Sequence, residues 1–340
     1  MRVDSGADYM RYADFRHTEL RTSVLGFGCA SLMGRVGRRA SLRALESAYD
    51  LGITLYDTAR SYGFGESEVV LGEFLRGRRD KVIVSTKFGI VAANSGPIKR
   101  LLKPVARFVF KRSPAIKHAM RFQVSRQLRS PGFSVEEMRK SLELSLRALR
   151  TDYVDILLLH VPPVEVLSQV ELFEKLDSVV KEGIVRYLGI ATDAKGISAL
   201  VESEINNIRI LQSAVNLWDD SALVAMASAP GESPFGLMAN QPFGGGSRVT
   251  LLRQRLAALA NNFDTPQSVK EKLADCNDEV MADVAINSVL AHSEVSAVVC
   301  SMLQSDHLQK NTYVSSESRF SKPELHSIEE FLRSGRWRPA

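Results

Sequence analysis

Asp57, Tyr62, Lys87 and His160 have the residue types and the spacing for proton-transfer chemistry. Taken singly, each has an ordinary structural reading. Asp57 caps a turn, Tyr62 packs in a loop, Lys87 ends a strand in solvent, and His160 bonds a carbonyl ahead of Pro162 and Pro163. As a set they have complementary roles. A free tyrosine has a pKa of about 10, too high for easy proton exchange at neutral pH. An adjacent ammonium favours the phenolate, and a carboxylate keeps that ammonium charged and in place, so Tyr62 becomes usable as a general acid and base. His160 would orient a substrate oxygen and polarise its carbonyl. The three widely spaced cysteines, with no CxxC pair, argue against a structural zinc site.

Such a set converges only if the chain brings distant segments to one rim. Short apolar, β-rich runs recur at 23–28, 53–57, 82–86, 153–159, 185–190, 208–213, 235–239 and 296–300. Helical patterns separate them at 40–51, 66–76, 134–150, 168–182, 196–204, 219–229 and 278–292, with a last one near 304–312 after the eighth run. Ser134 stands three residues before Glu137, a capping-box spacing that opens one of these helices. Eight strands each followed by a helix predict an α/β fold, a (β/α)8 TIM barrel, rather than an open sheet. The chain is read as a single barrel domain over 1–340, with a core at about 10–312, an N-terminal hairpin or cap before Ser23 and a trailing helix at 323–333. Long βα loops are expected after the third strand (91–130) and the seventh (244–277). In barrels the strands' C-terminal ends carry the chemistry, and there Asp57, Lys87 and His160 end three successive strands, with Tyr62 in the loop beyond Asp57.

Composition excludes several other classes. At 340 residues the chain can bury a large core without staples, and its 3 cysteines, Cys29, Cys276 and Cys300, are odd in number and widely spaced. That argues against a disulfide scaffold and fits a reducing, cytoplasmic setting. No run reaches the roughly 18 apolar residues of a membrane span, and the N-terminal segment is too polar for a signal peptide. The net charge of +5 is local: 91–130 carries ten Lys and Arg and no acid, and the remainder is net negative. Nucleic-acid binding is therefore not implied. The basic segment reads either as a solvated helical pair or as a lid for an anionic partner.

The motifs resemble those of the aldo-keto reductases. The resemblance rests on Gly52 to Ala59 (GITLYDTA), Ser61-Tyr62-Gly63, Ser67-Glu68, Thr86-Lys87, Leu158-Leu159-His160 and Gly183 to Ile190 (GIVRYLGI), and extends over roughly 10–312. It implies hydride transfer between a nicotinamide cofactor, NADP or NAD, and a small-molecule carbonyl or alcohol: an aldehyde, a ketone or a sugar-like substrate. Tyr62 would be the general acid and base, tuned by Lys87 and Asp57, with His160 on the reacting oxygen.

Cofactor contacts follow from the same resemblance. Gly28 is in the strand near which the family places its cofactor, although Gly26-Phe27-Gly28 lacks the third glycine of a dinucleotide fingerprint and reads better as close backbone packing at a barrel strand end. Ala191-Thr192-Asp193 stands where the family has Ser-Asn on the nicotinamide amide, which makes Thr192 a candidate contact. Gln212 matches the family glutamine on that amide, and Asn216 matches the Asn of the same run. After the seventh strand, Asn240-Gln241-Pro242-Phe243-Gly244 replaces the family's Y-S-P-L-G. Gln241, Phe243, Gly244 and Arg248 are candidates for the pyrophosphate, with a plain flexible loop as the rival reading. Ser301, Gln304, His307 and Asn311 align with the adenosine-phosphate site, where the usual basic clasp of a 2′-phosphate has no clear match. Trp218 is a candidate substrate wall. An alternative is a non-catalytic nucleotide-binding barrel that acts as a regulatory or interaction subunit. A weaker one is a lyase or isomerase using Lys87 in a Schiff base.

Overall fold

A computed structural model describes residues 10–90, 132–229, 231–245 and 248–333. The eight β-rich runs become eight parallel strands: β3 (Leu25–Gly28), β4 (Leu55–Asp57), β5 (Ile83–Phe88), β6 (Val154–His160), β7 (Val185–Ala191), β8 (Ile208–Ala214), β9 (Gly236–Asn240) and β10 (Val295–Cys300). They close into a barrel in sequence order, with β10 bonded to both β9 and β3. Parallel neighbours need a crossover, and helices supply it: α1 (Arg38–Asp50), α2 (Ser67–Phe74), α3 (Val135–Leu149), α4 (Val170–Lys181), α5 (Ala194–Val201) and α6 (Ser221–Ala227). Further along come α7 (Arg248–Ala260), α8 (Gln267–Leu273), α9 (Asp278–Leu290), α10 (Ser305–Ser316) and the trailing α11 (Lys322–Arg333). The expected start of α3 is capped as its spacing suggested, with Ser134 Oγ accepting from the Glu137 N–H at 3.2 Å.

Successive strand residues point to opposite faces, so each strand feeds two cores. Leu55, Ile156, Leu158, Ala191, Ile210, Met238, Ala297 and Val299 fill the barrel's interior. Phe15 and Leu20 join them from the hairpin of β1 (Tyr12–Asp14) and β2 (Arg21–Ser23), which plugs the end of the barrel away from the strands' C-termini. The alternate residues, such as Phe27, Tyr56, Val84 and Leu157, face the helices. Gly26, alternating with outward-facing Phe27, points to the interior, where a Cβ would meet Leu55 and Val299 at 2.9–3.1 Å, so the glycines of β3 serve close packing.

The insertion after β9 is more ordered than its polar composition suggested. It holds α7 and α8, whose Leu252, Leu256, Leu259, Val269 and Leu273 form a second cluster with Phe320, Leu325, Ile328 and Leu332 of the C-terminal segment. The basic segment 91–130, with its proposed anionic partner, lies outside the described residues.

Candidate active site

Strand register sets the site. Asp57 is the last residue of β4, Lys87 the penultimate residue of β5 and His160 the last of β6, and the pairs Asp57↔Ser85 and Lys87↔Leu158 fix their heights. Asp57 lies two residues beyond Leu55, and His160 two beyond Leu158, so both point to the barrel's interior with those core leucines. Tyr62 opens a short helical turn after β4 and leans back over the same rim.

There the four side chains meet. The Lys87 Nζ donates to Asp57 Oδ1 at 2.6 Å and to the Thr58 carbonyl at 2.9 Å, and is 1% exposed. It lies 5.0 Å from the centre of the Tyr62 ring. The Tyr62 and His160 rings meet edge to face at 6.0 Å. Electrostatics follow from burial. Burial pushes the Tyr62 hydroxyl above its usual value, and Lys87 opposes this without reversing it. The net direction differs from the acidification expected from charge alone, because desolvation of a phenolate outweighs one nearby ammonium. Burial opposes the charge on Lys87, yet Asp57, with Tyr62, holds its ammonium above the ordinary lysine range. A Schiff-base role needs the free amine, so this disfavours the lyase reading. Burial, then the Lys87 charge, lowers His160 to about 3, so its imidazole is neutral.

Across the barrel mouth stand buried polar atoms with no protein partner: His160 Nδ1, Gln212 Nε2, Asn240 Oδ1 and Trp218 Nε1. Such atoms are costly in an interior unless a bound molecule or water satisfies them. Gln212 and Asn240 sit two steps apart on adjacent strands, by the pairs Gln212↔Met238 and Ala214↔Asn240. An unmet donor and an unmet acceptor on one rim suit a carboxamide, and this is the chemistry of a nicotinamide's amide. The orphaned atoms thus fit that group.

Other expected contacts divide. Gly28 ends β3, and its carbonyl accepts from Ser301 Oγ at 3.0 Å, while Ser31 and Ser301 hydroxyls lie 3.1 Å apart. Thr192 donates its N–H to the Gln212 carbonyl and lays its side chain on Gly196, and Asp193 is spent as the cap of α5. Asn216 Oδ1 accepts from the Trp218 N–H at 3.1 Å and so shapes the turn that carries the indole. Gly244, at φ +65, has no room for a side chain, since a Cβ would meet Trp218 and Arg248 at 2.8–2.9 Å. The Arg248 guanidinium lies 5.5 Å from the Trp218 ring centre. Gln241 is exposed at φ +55, and Phe243 packs against both helix-facing and C-terminal clusters. Gln304 precedes α10, His307 is exposed in its first turn, and Asn311 is buried one turn on. Sequence reasoning assigned no role to the Thr58 carbonyl or to Asn240. The signal for Asn240 was its inward parity with Met238.

Comparison with known proteins places these observations. The model of the Aldo/keto reductase family matches residues 24–333. D-threo-aldose 1-dehydrogenase of a Pseudomonas species is 31% identical over 237 residues, 67% of this chain and 68% of the relative. Aldo-keto reductase YhdN of Bacillus subtilis is 29% identical over 192 residues, 54% of this chain, and the match spans only 47% of that protein. Among solved structures, aldo-keto reductase AKR11C1 from Bacillus halodurans in its holo form superposes with a TM-score of 0.68 at 18% identity, covering 96% of this chain and 98% of that one.

Proposed function

The chain belongs to the aldo/keto reductase family, and from that premise we propose that it is an NAD(P)-dependent oxidoreductase interconverting a carbonyl and an alcohol, with Tyr62 as general acid and base. The observation that carries this is the buried Lys87–Asp57 pair, 2.6 Å apart, set beneath the Tyr62 ring and facing His160.

When bound, a reduced nicotinamide supplies the hydride that adds to the carbonyl carbon, and its oxidised form takes that hydride back. Gln212 Nε2 and Asn240 Oδ1 would hold its carboxamide. Gly28, Thr192 and Ser301 would line its path, with Gln241, Phe243, Gly244 and Arg248 toward the pyrophosphate and Gln304, His307 and Asn311 toward the adenosine. Among the described residues 301–311 the only Lys or Arg is Lys310, which is paired with Asp306 at 2.9 Å, and this suits NAD as well as NADP. His160, neutral, offers an imidazole N–H to the carbonyl oxygen and polarises it. As charge develops on that oxygen, the Tyr62 hydroxyl gives it a proton, and the Lys87 ammonium stabilises the phenolate left behind. Asp57 keeps Lys87 charged through the cycle. In oxidation the same proton returns to Tyr62 Oη. The mouth is walled by Trp218. Relatives that act on aldoses and aryl alcohols, by their names, make sugars and aromatic aldehydes the first substrates to try.

The test joins binding and turnover. NADPH and NADH are titrated into the protein while its intrinsic tryptophan fluorescence is followed, and each is then offered a panel of aldoses, aromatic aldehydes and keto-acids. Tyr62→Phe keeps the cofactor affinity and lowers turnover at least ~100-fold, as loss of a general acid does. Tight cofactor binding with no turnover on any carbonyl would instead favour a regulatory nucleotide-binding barrel.

A further inference from the structure

Among the buried charges that have no part in the chemistry above, the nearest in sequence to Tyr62 is on α2. Glu68 is 0% exposed, in the first turn of α2. A lone carboxylate there would be expensive to bury, and its two oxygens are each answered. Thr86 Oγ1 donates to Glu68 Oε1 at 2.7 Å, and the Arg60 guanidinium pairs with Oε2 at 2.9 Å. The partners are telling by position. Thr86 immediately precedes Lys87 on β5 and faces the helices because Lys87 faces the interior. Arg60 lies two residues before Tyr62 in the loop after β4.

The neighbouring residue makes the same kind of tie. Ser67 Oγ donates to the Cys29 carbonyl beyond β3 at 3.0 Å and lies 3.2 Å from the Thr58 hydroxyl beyond β4. Thr58 is also the residue whose carbonyl receives Lys87, and its N–H donates to Ser85 on β5. The first turn of α2 therefore grips the ends of three adjacent strands from behind. Within that grip, Glu68 joins the strand of the ammonium to the loop of the phenol through two side chains.

Resting on the reading of Tyr62 as the acid, we propose that Glu68 is a positioning residue: through Thr86 and Arg60 it fixes the segment carrying Lys87 against the loop carrying Tyr62. The proton-transfer geometry is then set from the outer face of the barrel, by a group that touches neither substrate nor cofactor. Small displacements suffice to matter, since a misplacement of about 1 Å can cost around 100-fold in rate.

The test uses the neutral end of the tie. Thr86→Val keeps the volume and removes the hydroxyl, and Thr86→Ser restores it. Fluorine NMR of 3-fluorotyrosine-labelled protein follows the ionisation of Tyr62, its signal identified by its loss in Tyr62→Phe. In Thr86→Val, kcat falls about 10- to 100-fold with cofactor affinity retained, and the Tyr62 ionisation moves to higher pH as Lys87 loosens. Thr86→Ser brings both back. Glu68→Gln, which keeps an acceptor for Thr86 but removes the charge opposite Arg60, lowers kcat in the same direction and serves if Thr86→Val does not fold. A lower melting temperature with unchanged kcat and an unmoved Tyr62 ionisation overturns the proposal, as does failure of Thr86→Ser to restore them. If Tyr62→Phe turned over like the wild type, the acid assignment would fall by itself, and the NMR shift in Thr86→Val would still decide whether Glu68 positions Lys87.

Discussion

His160 and Tyr62 are both driven by burial toward their neutral forms, and this sets the pH behaviour. His160 is lowered to about 3, so it loses its proton far below neutrality and stays uncharged above that. Tyr62 is raised above 10.0, so it keeps its proton through the neutral range. With Tyr62 as the proposed acid, carbonyl reduction needs its protonated form. Its kcat should therefore run flat from about pH 5 to about pH 9, without the inflection near 6.5 of an ordinary histidine, and fall only as Tyr62 ionises at alkaline pH. Alcohol oxidation needs the phenolate and should rise toward the same limit. A pH–rate profile in both directions checks this, and an inflection near neutrality that vanishes in His160→Ala would contradict the neutral imidazole. The identities of the four residues were legible in the sequence. The sign of the Tyr62 shift was not, because it depends on how much of the ring and of Lys87 the folded rim removes from water.

At the scale of elements, period and caps were the readable signals. All eight barrel strands stand at the β-rich runs, because inward and outward faces are both buried and the runs are nearly continuously apolar. Ser134 caps α3 as its spacing implied, at the exposed N-terminus of the helix. Ser134→Ala should cost about 1 kcal/mol, read as a lower denaturation midpoint at unchanged kcat. A neutral effect would mean that the end of α3 is satisfied by other groups. Helices α7 and α8 were harder to see. Leu252, Leu256 and Leu259 have helical spacing, but the segment is polar enough to pass for a loop until the C-terminal helix supplies the apolar face it packs on.

For the whole molecule, the interior divides into the barrel's own cores and the cluster that joins α7, α8 and α9 to α11. Ile328 sits fully buried in that cluster. Ile328→Ala should lower stability by about 2–5 kcal/mol, measured by urea unfolding, while the folded fraction keeps its kcat. A loss of kcat at unchanged stability would show that α11 acts on the site directly. No helix among the described residues is long and apolar enough to cross a membrane. What the sequence by itself determined was local: which runs are strands, which residue ends each strand, and that an acid, a phenol, an ammonium and an imidazole crowd those ends. Alternation along a strand and the order of strands in a closed barrel are enough to place them on one rim. Only the tertiary structure decided what depends on neighbours distant in the chain: that Glu68 meets Thr86 and Arg60, that Gln212 and Asn240 leave a donor and an acceptor unmet on adjacent strands, and that burial outweighs Lys87 at Tyr62. Desolvation and hydrogen-bond pairing are properties of the packed surroundings, and no residue carries them in its own position along the chain.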